Sequence, residues 1–338
     1  MRVLIIKLTS MGDLMHALPA ITDAAAAIPD IEFDWVVDHA FADVPLWHPN
    51  VKNVIKTAHR QWRKQLITAW RDGRLANFYT QLNGQDYDVI IDLQSNLKSA
   101  VVSWLRKGDV HGLDKDYCRE KLAHWAYKYR YTVNVKQHSI EKMRELMAQA
   151  LNYELPDKPA DYGVDLSVYD LPKLDFELPK KYLLFVHNAS WLTKLWSLSS
   201  WQALVQKAVA QDYSVLLPCG SDEEYQRAQQ IASVNPQALA LPKLSLNEMA
   251  AITHKATGAV CSDTGLAHLA AVAGIPAVTL YGATDPKLIG TQGKNQQHII
   301  SEVLDKALEN PKKGEPIGMQ NITVEQVWDR LEGLLPAK

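Results

Sequence analysis

The stretch from Ala259 to Ala273, A-V-C-S-D-T-G-L-A-H-L-A-A-V-A, carries the residue types best suited to holding an anion. Small apolar residues run into Ser262, Asp263, Thr264 and Gly265, and a segment of helical composition with His268 follows. The pattern predicts a buried parallel strand that turns through glycine and opens a helix, whose first N–H groups have no intrahelical partner and face a phosphate. Ligands of open α/β sheets bind at the carboxyl ends of the strands, where this loop would lie. His268 follows Gly265 by about one helical turn, so it faces the same ligand or fills a core position. A second loop of this kind, L-T-S-M-G-D, follows an apolar run near the start of the chain and ends in Asp13.

These loops need a scaffold of alternating strands and helices. Strands are predicted at Val3–Ile6, Ile31–Val37, Val51–Ile55 and Tyr87–Leu93, then at Tyr182–His187, Ser214–Leu217, Ala238–Leu241, Ala259–Ser262 and Ala277–Tyr281. Helical text separates them, including a long alanine- and leucine-rich segment from about Leu14 to Ala27. Capping-box patterns open helices at Ser199 with Gln202, Ser245 with Glu248, and Thr323 with Gln326. Between Tyr153 and Lys181 the prolines Pro156, Pro159, Pro172 and Pro179 break any helical period, which marks a linker. The expected organisation is α/β throughout: an N-terminal Rossmann-like domain over 1–152, a linker over 153–181 and a C-terminal Rossmann-like domain over 182–338, with a cleft between the two. The last helix is also a candidate to pack back on the N-terminal domain.

At 338 residues, the chain exceeds what one hydrophobic core supports, and 47% apolar residues suffice for two cores. A net charge of −2 excludes a general polycation, and with it a nucleic-acid partner of that kind. Two local patches are cationic. One has Lys56, Arg60, Arg63, Lys64, Arg71 and Arg74, with Trp62 and Trp70 interleaved. The other runs through Arg119, Lys121, Lys128, Arg130, Lys136, Lys142 and Arg144. Both suggest that the first half meets something anionic, although solvated helix faces look the same. Cys118, Cys219 and Cys261 are too few and too far apart for a disulfide framework or a zinc site, which fits a reducing cytoplasm. No apolar run reaches the roughly 18 residues of a membrane span, so a soluble protein is expected, with membrane-surface binding left open. Neither G-x-G-x-x-G after a first strand nor a P-loop is present, which disfavours dehydrogenases and P-loop NTPases.

S-M-G-D-L-M-H-A-L-P, R-Q-W-R-K at Arg60 to Lys64, D-L-Q-S-N-L-K-S at Asp92 to Ser99, S-D-T-G-L-A-H-L-A-A and Y-G-A-T-D-P together resemble the bacterial ADP-heptose:lipopolysaccharide heptosyltransferases of glycosyltransferase family 9. The resemblance runs nearly end to end and is greatest to the heptosyltransferase I type, which adds the first heptose to Kdo. It implies a GT-B fold of two facing Rossmann-like domains and an inverting transfer without metal or other cofactor. The donor it implies is ADP-L-glycero-β-D-manno-heptose, bound mainly by the second domain.

By the same resemblance, Asp13 is the base that takes the proton of the attacking acceptor hydroxyl. A carboxylate there would also complement a helix N-terminus. Lys194 and Ser190 meet the departing ADP, where Lys194 neutralises developing charge. Ala189 stands where relatives often carry a threonine, so that hydroxyl contact is lost. Thr264, Gly265 and nearby amides cradle the diphosphate, Asp263 meets the heptose hydroxyls and His268 faces the same ligand. Glu224 falls on a ribose-binding position but also completes a capping pattern from Ser221, and Leu244 packs on adenine. Arg60, Arg63, Lys64 and Arg119 are expected to meet the carboxylates and phosphates of Kdo-lipid A. The resemblance further implies a cytoplasmic monomer associated peripherally with the inner membrane. The rivals are a heptosyltransferase II, which adds the second heptose, a non-catalytic sugar-nucleotide- or lipopolysaccharide-binding protein of the same fold, and a two-domain sugar-nucleotide epimerase.

Overall fold

A computed structural model describes residues 1–282, 284–302 and 319–336, apart from the side chains of Arg60 and Arg63. It separates into two compact units, Met1–Asp165 and Leu166–Lys338. The proline-rich stretch is therefore shared, its first part belonging to unit 1 and its remainder to unit 2.

Unit 1 is built on β1 (Arg2–Ile6), β2 (Glu32–Asp38), β3 (Val51–Thr57), β4 (Val89–Asp92), β5 (Val110–Leu113) and β6 (Tyr129–Tyr131), in the spatial order β3-β2-β1-β4-β5-β6. Every pairing is parallel. Its helices are α1 (Met11–Met15), α2 (Leu18–Ala27), α3 (Asp43–Leu46), α4 (His59–Lys64), α5 (Leu66–Arg71), α6 (Arg74–Leu82), α7 (Leu97–Leu105) and α8 (Ser139–Leu151), with a 3-10 turn at Lys121–Ala126. Leu4 and Ile6 of β1 join Phe78, Leu82, Ala100, Val102, Ala123 and Tyr127 in one buried cluster, so α6, α7 and the 3-10 turn share a layer on the sheet.

Unit 2 repeats the plan with β7 (Tyr182–Val186), β8 (Ser214–Leu217), β9 (Ala238–Ala240), β10 (Gly258–Ser262), β11 (Ala277–Tyr281) and β12 (Gln296–Ile300), again all parallel, in the order β12-β11-β10-β7-β8-β9. Its helices are α9 (Leu198–Val209), α10 (Asp222–Ala232), α11 (Leu246–Lys255), α12 (Gly265–Val272), α13 (Pro286–Ile289) and a last described helix, Val324–Glu332. Numbered within each unit, both sheets have the doubly wound order 3-2-1-4-5-6, whose topological switch lies between the first and fourth strands.

The structure departs from the sequence expectations at particular places. The helix expected from Leu14 to Ala27 is two helices, because Pro19 falls in the first turn of α2, where a proline opens a helix rather than continuing one. Helix α9 begins at Leu198, capped by Ser197 through the Ser200 amide, rather than at Ser199. Strands β5, β6 and β12 carry His, Arg and Gln and have no apolar run to reveal them. The helix Val324–Glu332 buries Val327, Trp328 and Leu331 in the same cluster as Trp201, Val260 and Val278.

Arg144 corrects the second cationic patch. It is buried, not solvated: its Nε donates to Asp23 at 2.6 Å, its Nη1 to Glu141 at 2.8 Å, and its Nη2 to the carbonyls of Pro156 and Lys158. These bonds tie α8 to α2 and hold the segment after α8 in unit 1, which is why the unit boundary falls later than residue 152.

Candidate functional site

In each unit part of the expected set lies at the switch between first and fourth strands, Asp13 in unit 1 and Lys194, Asp263 and Thr264 in unit 2, whereas Glu224 follows β8, Leu244 follows β9, Arg60 to Lys64 follow β3 and Arg119 follows β5. In unit 1, β1 runs into Lys7, whose buried Nζ donates to the Leu93 carbonyl at 3.1 Å, just past the end of β4. Gln94 reaches the other way and accepts from the amides of Leu8 and Thr9, the latter at 3.1 Å. Asp92, fully buried, accepts from the amides of Gln94 (2.8 Å) and Ser95 (3.0 Å) and from the Tyr127 hydroxyl (2.8 Å). The two strand-end loops are thereby fixed to one another, so a side chain carried by the first has a defined position.

That side chain is Asp13, in the first turn of α1. Its Oδ2 accepts from the Ser10 amide at 3.0 Å and from the Ser10 hydroxyl at 2.9 Å, and the residue is partly exposed. Burial pushes the Asp13 carboxyl up, but the Lys7 charge and the two Ser10 hydrogen bonds outweigh it and hold the group below the usual carboxylate range. Burial pushes the Lys7 ammonium down, against the opposing charges of Asp13 and Asp92. Asp13 thus both caps its helix and stands as a carboxylate beside a buried cation.

The exposed Arg119 lies close enough for its charge to act on both Lys7 and Asp13, so one of the four cations expected to meet an acceptor shares the neighbourhood of the candidate base. Lys64 is exposed at the end of α4. Arg60 and Arg63 lie on the same helix, but their side chains fall outside the described residues. Trp62 is partly buried against the core, its ring centroid 5.3 Å from that of Phe78.

Unit 2 repeats the bridge with a charged partner. The loop after β7 carries Lys194, whose Nζ lies 2.6 Å from Asp263 Oδ2 in the loop after β10, and 4.6 Å from the Trp191 ring centroid. Asp263, buried, also accepts from the Thr284 hydroxyl. Two residues expected to meet different parts of a ligand are therefore bonded to each other. Gly282, in the Y-G-A-T-D-P motif, presses on this loop: a Cβ there would come within 2.5 Å of the Thr193 carbonyl oxygen.

Thr264 is the N-cap of α12, yet its hydroxyl makes no capping bond. Thr264 Oγ1 and the neighbouring Ser262 Oγ are buried with no hydrogen-bond partner among the described residues, and Gly265 opens the helix. Uncapped amides and two unspent hydroxyls at a helix N-terminus suit a phosphate. His268 is buried one turn further along. Ser190 is exposed and Ala189 half-buried in the Lys194 loop, and Leu244 is half-buried ahead of α11. Glu224 takes its helix-capping role in altered form: its amide donates to the Ser221 hydroxyl at 3.2 Å, and its Oε2 accepts from the Gly220 amide at 2.6 Å.

Reading the sequence for chemistry missed Lys7, Asp92, Gln94 and Thr284, which position rather than advertise. A lysine closing an otherwise apolar buried strand was the one available signal for Lys7. Among the described residues, no group of three or more His, Cys, Asp or Glu is placed to hold a metal ion. Nor is any described helix long and apolar enough to cross a membrane.

The sequence profile of glycosyltransferase family 9 (heptosyltransferase) matches residues 75–316. Lipopolysaccharide heptosyltransferase 1 of Pseudomonas aeruginosa is 40% identical, over 100% of this chain and 99% of its own. The solved structure of E. coli heptosyltransferase WaaC with ADP superposes with a TM-score of 0.88 at 36% identity, covering 99% of this chain and 100% of that one. WaaC with ADP-2-deoxy-2-fluoro heptose gives a TM-score of 0.86 at 35% identity, over 98% and 99%. With the doubly wound order in each unit, these likenesses establish that the chain belongs to glycosyltransferase family 9, the heptosyltransferases.

Proposed function

We propose that this heptosyltransferase moves L-glycero-D-manno-heptose from ADP-L-glycero-β-D-manno-heptose, with inversion, to the Kdo of Kdo-lipid A, the first heptose addition of the lipopolysaccharide inner core. Likeness over the full length to a lipopolysaccharide heptosyltransferase 1, and to a structure solved with ADP and with a fluorinated ADP-heptose, supports this donor and this step. The observation that carries the chemistry is the pair of switch-point loops. One presents an ionised carboxylate at Asp13, the other a lysine, an uncapped helix N-terminus and unspent hydroxyls.

Asp13 takes the proton from the Kdo hydroxyl as that oxygen attacks the anomeric carbon, and the bond to the ADP oxygen breaks. Lys194, Ser190 and the amides at Thr264 and Gly265 stabilise the charge that gathers on the departing diphosphate. Asp263 holds Lys194 in place and reaches the heptose hydroxyls, His268 faces the same sugar nucleotide, Glu224 meets the ribose and Leu244 packs on the adenine. Ala189 offers only its backbone. Arg60, Arg63, Lys64 and Arg119 hold the anionic groups of the acceptor. Because that acceptor is lipid-anchored, the enzyme works at the cytoplasmic face of the inner membrane; it acts as a monomer, without metal or other cofactor.

The test is ADP release from ADP-heptose with Kdo-lipid A, set against the same acceptor already carrying one heptose. Faster release with the first is expected. Preference for the second would make the enzyme a heptosyltransferase II, and no release with either would leave a sugar-nucleotide-binding protein.

A further inference from the structure

Helix α7 is inverted relative to an ordinary surface helix. It buries Ser99, Ala100, Val102 and Ser103 and turns Leu97, Val101, Trp104 and Leu105 to solvent, at the spacing of one helical face. The buried serines bond their own helix, Ser99 donating to the Asn96 carbonyl and Ser103 to the Ser99 carbonyl, and both also face the buried Asp92 carboxylate, so the polar side of the helix is spent inward and its apolar side is left to solvent. The neighbouring 3-10 turn exposes Leu122 and Trp125. Helix α5 does the same: only Ala69 is buried, while Leu66, Ile67 and Trp70 are exposed. Three tryptophans stand 72% (Trp70), 57% (Trp104) and 68% (Trp125) exposed.

These surfaces belong to one layer. The core beneath α6, α7 and the 3-10 turn is a single cluster, and Trp62 of α4 packs against it. Asn83, at the end of α6, donates to the Leu105 carbonyl at 3.1 Å, and Leu97's amide donates to Glu120 at 2.6 Å just before the 3-10 turn. His59 of α4 hydrogen-bonds the backbone of Lys98 on α7. Exposed apolar patches of this kind mark interaction sites.

The surrounding charges select the occupant. Asp72, Asp109 and Asp116 are each spent on a local cation, Arg74, Lys128 and Lys121. Lys64, Arg71, Lys98 and Lys107, all exposed, make no ion pair among the described residues and outnumber the one exposed acid beside the 3-10 turn, Glu120, which leaves the rim of the patch positive. A two-fold interface between copies of this chain would set that rim against itself. Interfacial tryptophans above an apolar stripe, flanked by lysine and arginine, fit the headgroup boundary of an anionic bilayer.

We propose that the outward face of α5, α7 and the 3-10 turn Lys121–Ala126 lies on an anionic phospholipid bilayer, with Trp70, Trp104 and Trp125 inserted at headgroup depth. The proposal rests on the reading of a membrane-anchored acceptor, and it names the surface that would bring the Arg60–Lys64 patch to that acceptor. The cations steer the protein to the leaflet, and the aromatic and aliphatic side chains hold it there.

The experiment measures co-sedimentation of the full chain with vesicles of phosphatidylethanolamine and phosphatidylglycerol, and with phosphatidylcholine vesicles, all free of acceptor. The wild type and the variant Trp70→Ser/Trp104→Ser/Trp125→Ser are compared, with circular dichroism confirming that the variant is folded. The wild type should partition onto the anionic vesicles at least about tenfold better than onto the neutral ones, and the variant should lose about tenfold or more of that binding. Turnover of a deacylated, water-soluble Kdo acceptor, which reports the reading of function separately, should be equal for the two proteins. Wild-type protein that ignores anionic vesicles, or a folded variant that binds like the wild type, would overturn the proposal. So would a wild-type dimer in sedimentation velocity that the substitutions convert to monomer, because the face would then join two copies.

Discussion

Lys194 and Asp263 lie on loops after different strands of the second sheet, and their side chains meet at 2.6 Å across the switch between β7 and β10. Unit 1 repeats the arrangement with Lys7 and the Leu93 carbonyl across β1 and β4. A lysine from the first strand-end loop thus fastens the fourth in both halves, at the place where doubly wound sheets bind ligands. In unit 2 the clamp also carries a charge that a diphosphate can use.

Because Lys194 is a clamp and, in the proposed function, a phosphate ligand, its loss should show in two measurements. Lys194→Ala should lower kcat by about 100-fold or more, as for loss of a preorganised stabiliser of developing charge. It should also destabilise the fold by about 1–3 kcal/mol in urea titration, since the Asp263 carboxylate is buried and loses its cation. Asp263→Ala combined with Lys194→Ala should cost less stability than the sum of the two changes. Strict additivity would mean that the pair carries no coupling.

Asp13→Asn should fold normally and lose transfer by a factor of about 100 to 10,000, the range for removal of a general base. Near-wild-type turnover would remove Asp13 from the reaction.

The pH dependence follows from the direction of the Asp13 shift. Its folded-state pKa lies below the ordinary value, so the group is ionised throughout the neutral range, and the acid limb of kcat/KM falls below the usual range for a free aspartate. The stability it contributes is complete above the unfolded-state value and is lost as pH falls through the folded one. Lys7→Met removes the cation that opposes the effect of burial, so the acid limb should move to higher pH. A limb that stays in place would show that Lys7 does not act on Asp13.

Arg144→Met should destabilise unit 1 by about 3–5 kcal/mol, because it leaves the buried Asp23 carboxylate with only the Lys158 ammonium at 3.6 Å and frees two carbonyls of the segment that follows α8. Urea unfolding measures the loss. Donor affinity should change little in the fraction that remains folded.

Gly282→Ala should weaken donor binding more than it weakens the fold. The added methyl group meets the Thr193 carbonyl and the Met319 side chain, and the neighbour of Thr193 is Lys194. Equilibrium binding of ADP, compared with the melting temperature, separates the two effects.

Much of this protein is written in local sequence. Apolar strands such as V-L-I-I and L-L-F-V, the capping pairs at Ser245 and Thr323, and the glycine turn at Gly265 each depend on residues a few positions apart, so the alternation of strands and helices and the strand-end loops are legible there. Pairing across long separations is not. Nothing local distinguishes Arg144, buried against Asp23, from the solvated cations around it, or ties Lys194 to Asp263, because burial and partner are set only when remote elements pack. The polar strands β5, β6 and β12 form because a neighbouring strand offers its hydrogen bonds. Likewise, the sequence of α7 has both apolar and polar faces, but only its seat on the sheet decides that Ser99 and Ser103 go inward and Trp104 outward.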